Sequence, residues 1–391
     1  MPSALAPHYI HAMSTLLSYW EKQSFLQGFD VAVVGGGLVG LTAAIFTKRR
    51  RPQARVLVLE RAVLPNGAST KNAGFACFGS VSELMEQERR GGTQALLSVV
   101  RYRWEGLRLL RELLGDAAIA YEPLGGFELF REEEAALAAQ CRARLDYYNQ
   151  LLAPVIGPAE IFRPADHRRT EFGFRGVHSI LENVAEGALD TGRMMHALLR
   201  LAWQEGVVVL HGVPVTALES GAAAVTLRTP LADLEAGQVL LATNAFGREL
   251  FPELDVTPGR GQVLVTAPVP GLHLPGTFHY DYGYYYFRPL PGGRLLLGGG
   301  RNLDFAAEAT AAPGLTPLVQ ERLEQLLREV ILPGRPVAIE HRWSGIMGFG
   351  RELEPFVGEL APGIFGALRC NGMGVAMGAR SGLKAAEYLT P

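Results

Sequence analysis

The stretch that most constrains the fold runs from Phe29 to Arg61. It opens with an apolar run, Val31-Ala32-Val33-Val34, and passes through the glycine turn Gly35-Gly36-Gly37-Leu38-Val39-Gly40. An apolar helical segment, Leu41 to Lys48, follows, and the stretch closes with Val56-Leu57-Val58-Leu59 and Glu60. Strand, glycine turn, helix, strand, acid is the order in which a βαβ unit grips a dinucleotide. Gly35 lets the chain turn sharply out of the strand. Gly37 has no side chain, so a pyrophosphate can approach the backbone. Gly40 lets the helix pack close to the strands. The helix start at Leu38 and Val39 offers unpaired N–H groups and a partial positive charge to phosphate. Glu60 stands where a carboxylate accepts hydrogen bonds from an adenosine ribose and repels a 2′-phosphate, which disfavours NADP.

The 391 residues suggest two domains or three. A hydrophobic content of 48% against a charged content of 19% supports a large core and excludes disorder. The formal net charge of −2, without a long basic run, excludes an evident nucleic-acid partner. Cys77, Cys141 and Cys370 are widely spaced, form no CxxC pair and no metal pattern, and suit a reducing compartment. No apolar run reaches transmembrane length. Residues 1 to 28 lack a basic segment followed by an apolar one, so no signal peptide and a cytoplasmic location are expected. The lysines are Lys22, Lys48, Lys71 and Lys384; the remaining basic residues are arginines.

Residues 14 to 27 read as a short amphipathic helix with Leu16, Leu17, Trp20 and Phe25 available to pack. After Arg61 comes the loop Pro65-Asn66-Gly67-Ala68-Ser69-Thr70-Lys71-Asn72-Ala73-Gly74. It is small, polar and able to wrap a polar ligand with its backbone. Residues 81 to 151 read as mostly helical, with a strand near 125–130, and as scaffold and lid. Asp190 or Thr191 caps a further helix. Gln238 to Ala245 is a buried strand that ends in small residues. In His279 to Arg288, alternation puts Tyr280, Tyr282, Tyr284, Tyr286 and Arg288 on one face, and Pro291-Gly292-Gly293 turns the chain into a hairpin partner. That aromatic face walls a pocket or packs against helices. Near the end, Gly363 to Gly378 reads as a strand, a second glycine turn and a helix start.

On these residues the chain resembles the D-amino acid oxidase family, the FAD-dependent group that includes glycine oxidase, sarcosine oxidase and γ-glutamylputrescine oxidase. In that family a Ser-x-x-Asn-x-Gly-like loop lies along the flavin, and Ser69, Asn72 and Gly74 match it. The resemblance implies that Arg61, Thr70 and Ala73 lie with them along FAD. It puts Val215 near the adenine and Ala242 and Thr243 beside the dinucleotide. It puts Gly345, in a Trp-x-Gly element, under the flavin. Gly372, Met373, Gly374, Val375 and Ala376 would make the last flavin contact, at a helix start that stabilises negative charge. Tyr284, Tyr286 and Arg288 would line the substrate site, and Lys71 is the candidate for oxygen activation. One departure matters. Family members that oxidise amino acids commonly carry an arginine two residues after that glycine, to clamp the substrate carboxylate. Here Met347 stands there. Arg288, Arg301 and Arg342 are the candidates to replace it; the alternative is an amine substrate.

The resemblance implies an α/β fold: a Rossmann-like FAD-binding domain with a second α+β substrate domain built on a mixed sheet. The expected division is 1–80, 180–250 and 340–391 for the FAD-binding domain, and 81–179 with 251–339 for the substrate domain. The implied reaction is hydride transfer from the α-carbon of an amine or amino acid to flavin N5, giving an imine that hydrolyses. Oxygen or another acceptor would then take the electrons. No metal is expected. Two alternatives stand beside it. One is an FAD-dependent 2-hydroxyacid or polyol dehydrogenase with a base such as His341. The other is a non-catalytic nucleotide-binding protein.

Overall fold

The computed structural model describes residues 17–390. A two-turn helix, α1 (Tyr19–Phe25), starts on Ser18, whose hydroxyl accepts the Glu21 N–H. It differs from the expected amphipathic packing: it buries none of its residues, and Trp20 is 73% exposed. The segment is anchored instead by Leu26, just after the helix, which is buried. Of the residues expected in this helix, Leu16 lies outside the described residues.

The βαβ unit follows: β1 (Phe29–Val34), α2 (Leu38–Arg50) and β2 (Val56–Glu60), with β1 and β2 parallel. β1 also pairs in parallel with β11 (Leu234–Leu241), β2 with β8 (Val208–His211), and β11 with β18 (Ile364–Leu368). Antiparallel β17 (Phe356–Ala361) closes one edge, and the hairpin β9 (Ala217–Ser220)–β10 (Val225–Arg228) is attached to β11. The apolar run of β1 is continuous because both faces of the sheet are covered. Val31 and Val33 face one core with α2, and Ala32 and Val34 face another with the hairpin. Each fully buried aliphatic side chain there contributes roughly 1.5–3 kcal/mol.

A long helix, α3 (Val81–Leu114), breaks at Gly92, whose φ is 78°. Two shorter helices, α4 (Ala135–Ala143) and α5 (Leu145–Ile156), pack beside it. The short strands β3 (Phe75–Ala76) and β7 (Gly187–Ala188) pair with each other. Then α6 (Thr191–Gln204) starts on Asp190, whose carboxylate accepts the Arg193 N–H.

The second sheet holds β4 (Gly126–Arg131), β5 (Phe162–Pro164), β6 (Val177–Asn183), β12 (Thr257–Thr266), β13 (Thr277–Tyr280), β14 (Tyr285–Leu290), β15 (Arg294–Gly299) and β16 (Ile339–Phe349). Its order is β16-β12-β15-β14-β13-β4-β6-β5, antiparallel except for β13 and β4. Helix α7 (Pro317–Leu326) and a cluster of phenylalanines bury one face. The expected single tyrosine strand from His279 to Arg288 is two strands. Asp281, Tyr282 and Gly283 adopt positive φ and fold it into a hairpin, so strict alternation stops at Tyr280. The hairpin at 291–293 forms as expected. Strand β16, which the sequence reading grouped with the FAD-binding segments from residue 340, is an edge of this second sheet, paired along its length with β12. The chain returns to the first sheet only at β17, and ends in α8 (Gly374–Leu389). The architecture is α/β, a Rossmann-like part and an α+β part on a mixed sheet.

Candidate active site

A cavity of about 1780 Å³ lies between the two sheets. It exceeds the ~300–1,000 Å³ of an ordinary small-molecule pocket. Both glycine turns open onto it. At the first, Gly37 is the cap residue of α2 and supplies no side-chain partner. Gly35, Leu38 and Val39 line the wall, and the Leu38 N–H donates to Ser69 Oγ at 2.9 Å. A Cβ on Gly37 would stand 2.9 Å from that same hydroxyl, so side chains larger than glycine close this corner. At the second turn, α8 begins without a side-chain cap, and Gly372 to Ala376 all line the cavity. Two helix starts, thirteen and sixteen residues long in their helices, therefore offer free N–H groups to one space.

The two helices are held together by glycines. A Cβ on Gly378 would collide with Leu38, one on Gly382 with Thr42, and one on Gly106 with the Ala376 carbonyl. Strain shapes the second turn: Arg369 and Asn371 carry φ of 69° and 49°. Asn371 accepts the Gly350 N–H and donates to backbone carbonyls, while Arg369 pairs with Asp255 at 2.7 Å.

At the end of β2, Glu60 is fixed by two backbone donors, Gly36 N–H at 3.1 Å and Ala62 N–H at 3.0 Å. Its remaining lone pairs face the cavity, with Val215 and Arg61 nearby; Arg61 stacks 3.9 Å over Phe246. Ala242 and Thr243 line the wall beyond β11, and the Thr243 hydroxyl is buried without a hydrogen-bond partner. Two helix starts whose own cap residues supply no side-chain partner, a carboxylate at the end of β2 and an orphaned hydroxyl are what an extended flavin dinucleotide needs.

The model of the FAD dependent oxidoreductase family matches residues 30–388. The chain belongs to that family. It is an FAD-dependent oxidoreductase, and its cofactor is FAD. It is 27% identical over 340 residues to the bifunctional protein ThiO/ThiG of Synechocystis sp., a match covering 84% of this chain and 46% of that longer one. It is 21% identical to glycine oxidase of Bacillus licheniformis, over 84% of each chain. The fold is similar to that of glycine oxidase from Bacillus cereus ATCC 14579, with a TM-score of 0.71 at 19% identity over 93% of this chain and 95% of that one.

In this oxidoreductase Lys71, Asn72, Ala73, Gly345, Tyr284 and Tyr286 also line the cavity. A Cβ on Gly345 would stand 2.9 Å from Lys71 Cβ, so the Trp-x-Gly glycine makes room for the lysine. The Trp343 indole donates to the Lys71 carbonyl at 3.0 Å. Other expected site residues work from behind the wall. Gly40 packs on Gly35, where a Cβ would collide with the carbonyl. Thr70 donates to the Pro65 carbonyl at 2.7 Å, closing its own turn. Asn72, on the wall itself, also accepts the Gly74 N–H at 2.8 Å and ties Thr191 to the loop. Gly74, with φ of 74°, sits against Leu189.

Arg288 departs from its expected role. It is buried away from the cavity and donates to the carbonyls of Ala73 (2.6 Å) and Leu189 (2.8 Å). Arg288 shares the face of Tyr286 on β14 but lies further along the strand, under Ala73 and Leu189, so the guanidinium is a tie between loop and sheet. Arg342 is likewise engaged, with Gln320 and Glu324 at 2.5 and 2.6 Å. Arg301 alone of the three candidates lines the cavity. It lies 3.8 Å over the Phe349 ring, and its Nε is buried without a partner. Met347 lies beside Gly261, whose Cβ would stand 2.8 Å from the methionine methyl. His341 is exposed and outside the cavity.

Sequence reasoning assigned no site role to three side chains that the fold brings to this wall: Cys77, Glu83 and His279. They come from a strand end, a helix start and a sheet strand, and no spacing in the sequence joins them. Residues 81–151, read as scaffold and lid, thus contribute to the cavity through α3.

Proposed function

We propose that this oxidoreductase oxidises a small amine or amino acid at the carbon bearing nitrogen. The reading is supported by one observation above the rest: the second sheet turns Tyr284, Tyr286 and an unpaired Arg301 onto the cavity shared by both glycine turns. When bound, FAD accepts a hydride from the carbon next to the substrate nitrogen, and water hydrolyses the imine product. Glu60 would hold the ribose, the starts of α2 and α8 would hold the pyrophosphate and the flavin carbonyls, and the Thr243 hydroxyl would add a donor along the way. Arg301 takes a substrate carboxylate bidentately, which favours amino acids over simple amines. Met347 and Phe349 keep that end apolar and exclude water. Lys71 supplies a positive charge for the acceptor step, with oxygen as the acceptor. Three free, buried cysteines suit a cytoplasmic enzyme. No helix among the described residues is long and apolar enough to cross a membrane.

The test is anaerobic bleaching of the flavin spectrum by glycine, N-methylglycine, D-alanine, L-proline, benzylamine and D-lactate. Bleaching by members with nitrogen supports the reading. Bleaching by D-lactate alone replaces it with hydroxyacid oxidation.

A further inference from the structure

We propose that His279, held by Glu186, is the group that takes the proton from the substrate's nitrogen; this rests on the amine-oxidation reading above. The sheet register sets its place. Trp343, Val263, Gly298, Tyr286, His279 and Glu128 are successive partners across β16, β12, β15, β14, β13 and β4. They form one row, and Val263, Tyr286 and His279 in it line the cavity.

The pair is built rather than incidental. His279 Nε2 lies 3.3 Å from Glu186 Oε2, an ion-pair contact without hydrogen-bond alignment, and both residues are buried. The other Glu186 oxygen accepts the N–H groups of Phe78 and Gly79 at 3.1 and 3.3 Å, which fixes the carboxylate in place. A side chain on Gly126 would collide with the Glu186 carboxylate, so strand β4 is cut back to admit it. The Phe75 ring meets the imidazole edge-on at 5.2 Å and fixes its plane. With Nε2 turned to the carboxylate, Nδ1 is the nitrogen left for the cavity.

Several charged groups surround the imidazole. Glu83 comes from α3, Glu128 from β4, Arg103 from further along α3, and the Cys77 thiol lies within 4.8 Å of the pair's facing atoms. Burial by itself would favour neutral imidazole, but the carboxylates of Glu186 and Glu83, with Glu128 (itself pushed up to about 7 by burial), outweigh it and raise the histidine above its ordinary value. The neighbouring Tyr286 phenol is pushed up to about 12 by burial, so it stays protonated and is no rival as base.

The chemistry asks for such a group. An amine reaches the cavity as an ammonium ion, and only a nitrogen with a free lone pair can assist loss of hydride from its neighbouring carbon. One ammonium N–H bond breaks, its proton goes to neutral His279 Nδ1, and the bonding pair stays on the substrate nitrogen. Glu186 balances the imidazolium so formed. No electrons change owner in this step.

The test follows the rate of anaerobic flavin reduction by glycine and benzylamine against pH, in the flavin-loaded protein. In the wild type the rate rises with pH to a plateau, along a limb above the ordinary histidine value. His279→Gln, with flavin retained by absorbance, lowers the plateau on the order of a hundredfold and loses that limb. Glu186→Gln removes the counter-charge and moves the limb to lower pH. NMR titration of the His279 imidazole in wild type and Glu186→Gln reads the same displacement without turnover, and needs no active variant. An unmoved limb in both variants, or an imidazole titration unchanged by Glu186→Gln, overturns the proposal while leaving amine oxidation standing. Failure of every nitrogen compound to bleach the flavin overturns both.

Discussion

Arg301 and Met347 both line the cavity, but only the arginine carries a charge there. The methionine offers only a thioether and methyl to the cavity beside Gly261, while the guanidinium on the neighbouring edge is stacked on Phe349 with a donor to spare. Arg301→Met is therefore expected to raise KM for carboxylate-bearing substrates by tenfold or more, from loss of about 1.5–3 kcal/mol of charge-assisted hydrogen bonding. Benzylamine, which has no carboxylate, serves as the internal control, and equal losses for both substrates would count against the clamp. At the other end of the cavity, Gly37→Glu is expected to yield protein without flavin. Its carboxylate would enter the corner beside Ser69 Oγ and repel the phosphates. Absorbance of the purified variant decides it, and a yellow product would remove the assignment of this turn.

At the scale of elements, α8 is the piece that joins the chain's end to its beginning. It carries no capping side chain at its start, so its orientation depends on packing against α2 and α3. Gly378 and Gly382 allow the approach, and Thr42 of α2 donates to the Gly378 carbonyl at 3.4 Å. Gly382→Val should force the helices apart and cost roughly 1–3 kcal/mol by overpacking. Urea unfolding would show that loss together with weaker FAD retention, since both helix starts face the same cavity. The tyrosine hairpin teaches the opposite lesson about elements. Alternation is a sound guide only while the strand continues. Residues 281–283 bend it through positive φ, and for two of them the side chain is not glycine. Tertiary contacts, among them Asn302 donating to Asp281 at 2.9 Å, hold a bend that local propensity does not announce.

For the whole molecule, the cavity is bounded by segments from both sheets and from both ends of the chain. A ligand filling it binds the folded state and has no equivalent site in the unfolded chain. FAD at a hundred times its Kd is thus expected to stabilise the protein by about 2.7 kcal/mol through mass action. Thermal unfolding of the apoprotein across an FAD titration would show a rising Tm. A midpoint indifferent to FAD would mean that the cavity does not take it.

The sequence by itself determined the βαβ unit, the acid at its end, the second glycine turn and the family, because each rests on neighbours in the chain. Glycine at a turn, apolar runs on doubly covered strands and an uncapped helix start are local requirements, and local requirements are written locally. Which arginine faces the cavity, and that a histidine from β13 meets a glutamate from the loop before β7, were decided only by the tertiary structure. Sheet register and a turn with positive φ set those meetings, and both arise from packing between segments far apart in sequence. Arg288 shows the physical reason most directly: its two carbonyl partners, on Ala73 and Leu189, lie 215 and 99 residues away along the chain.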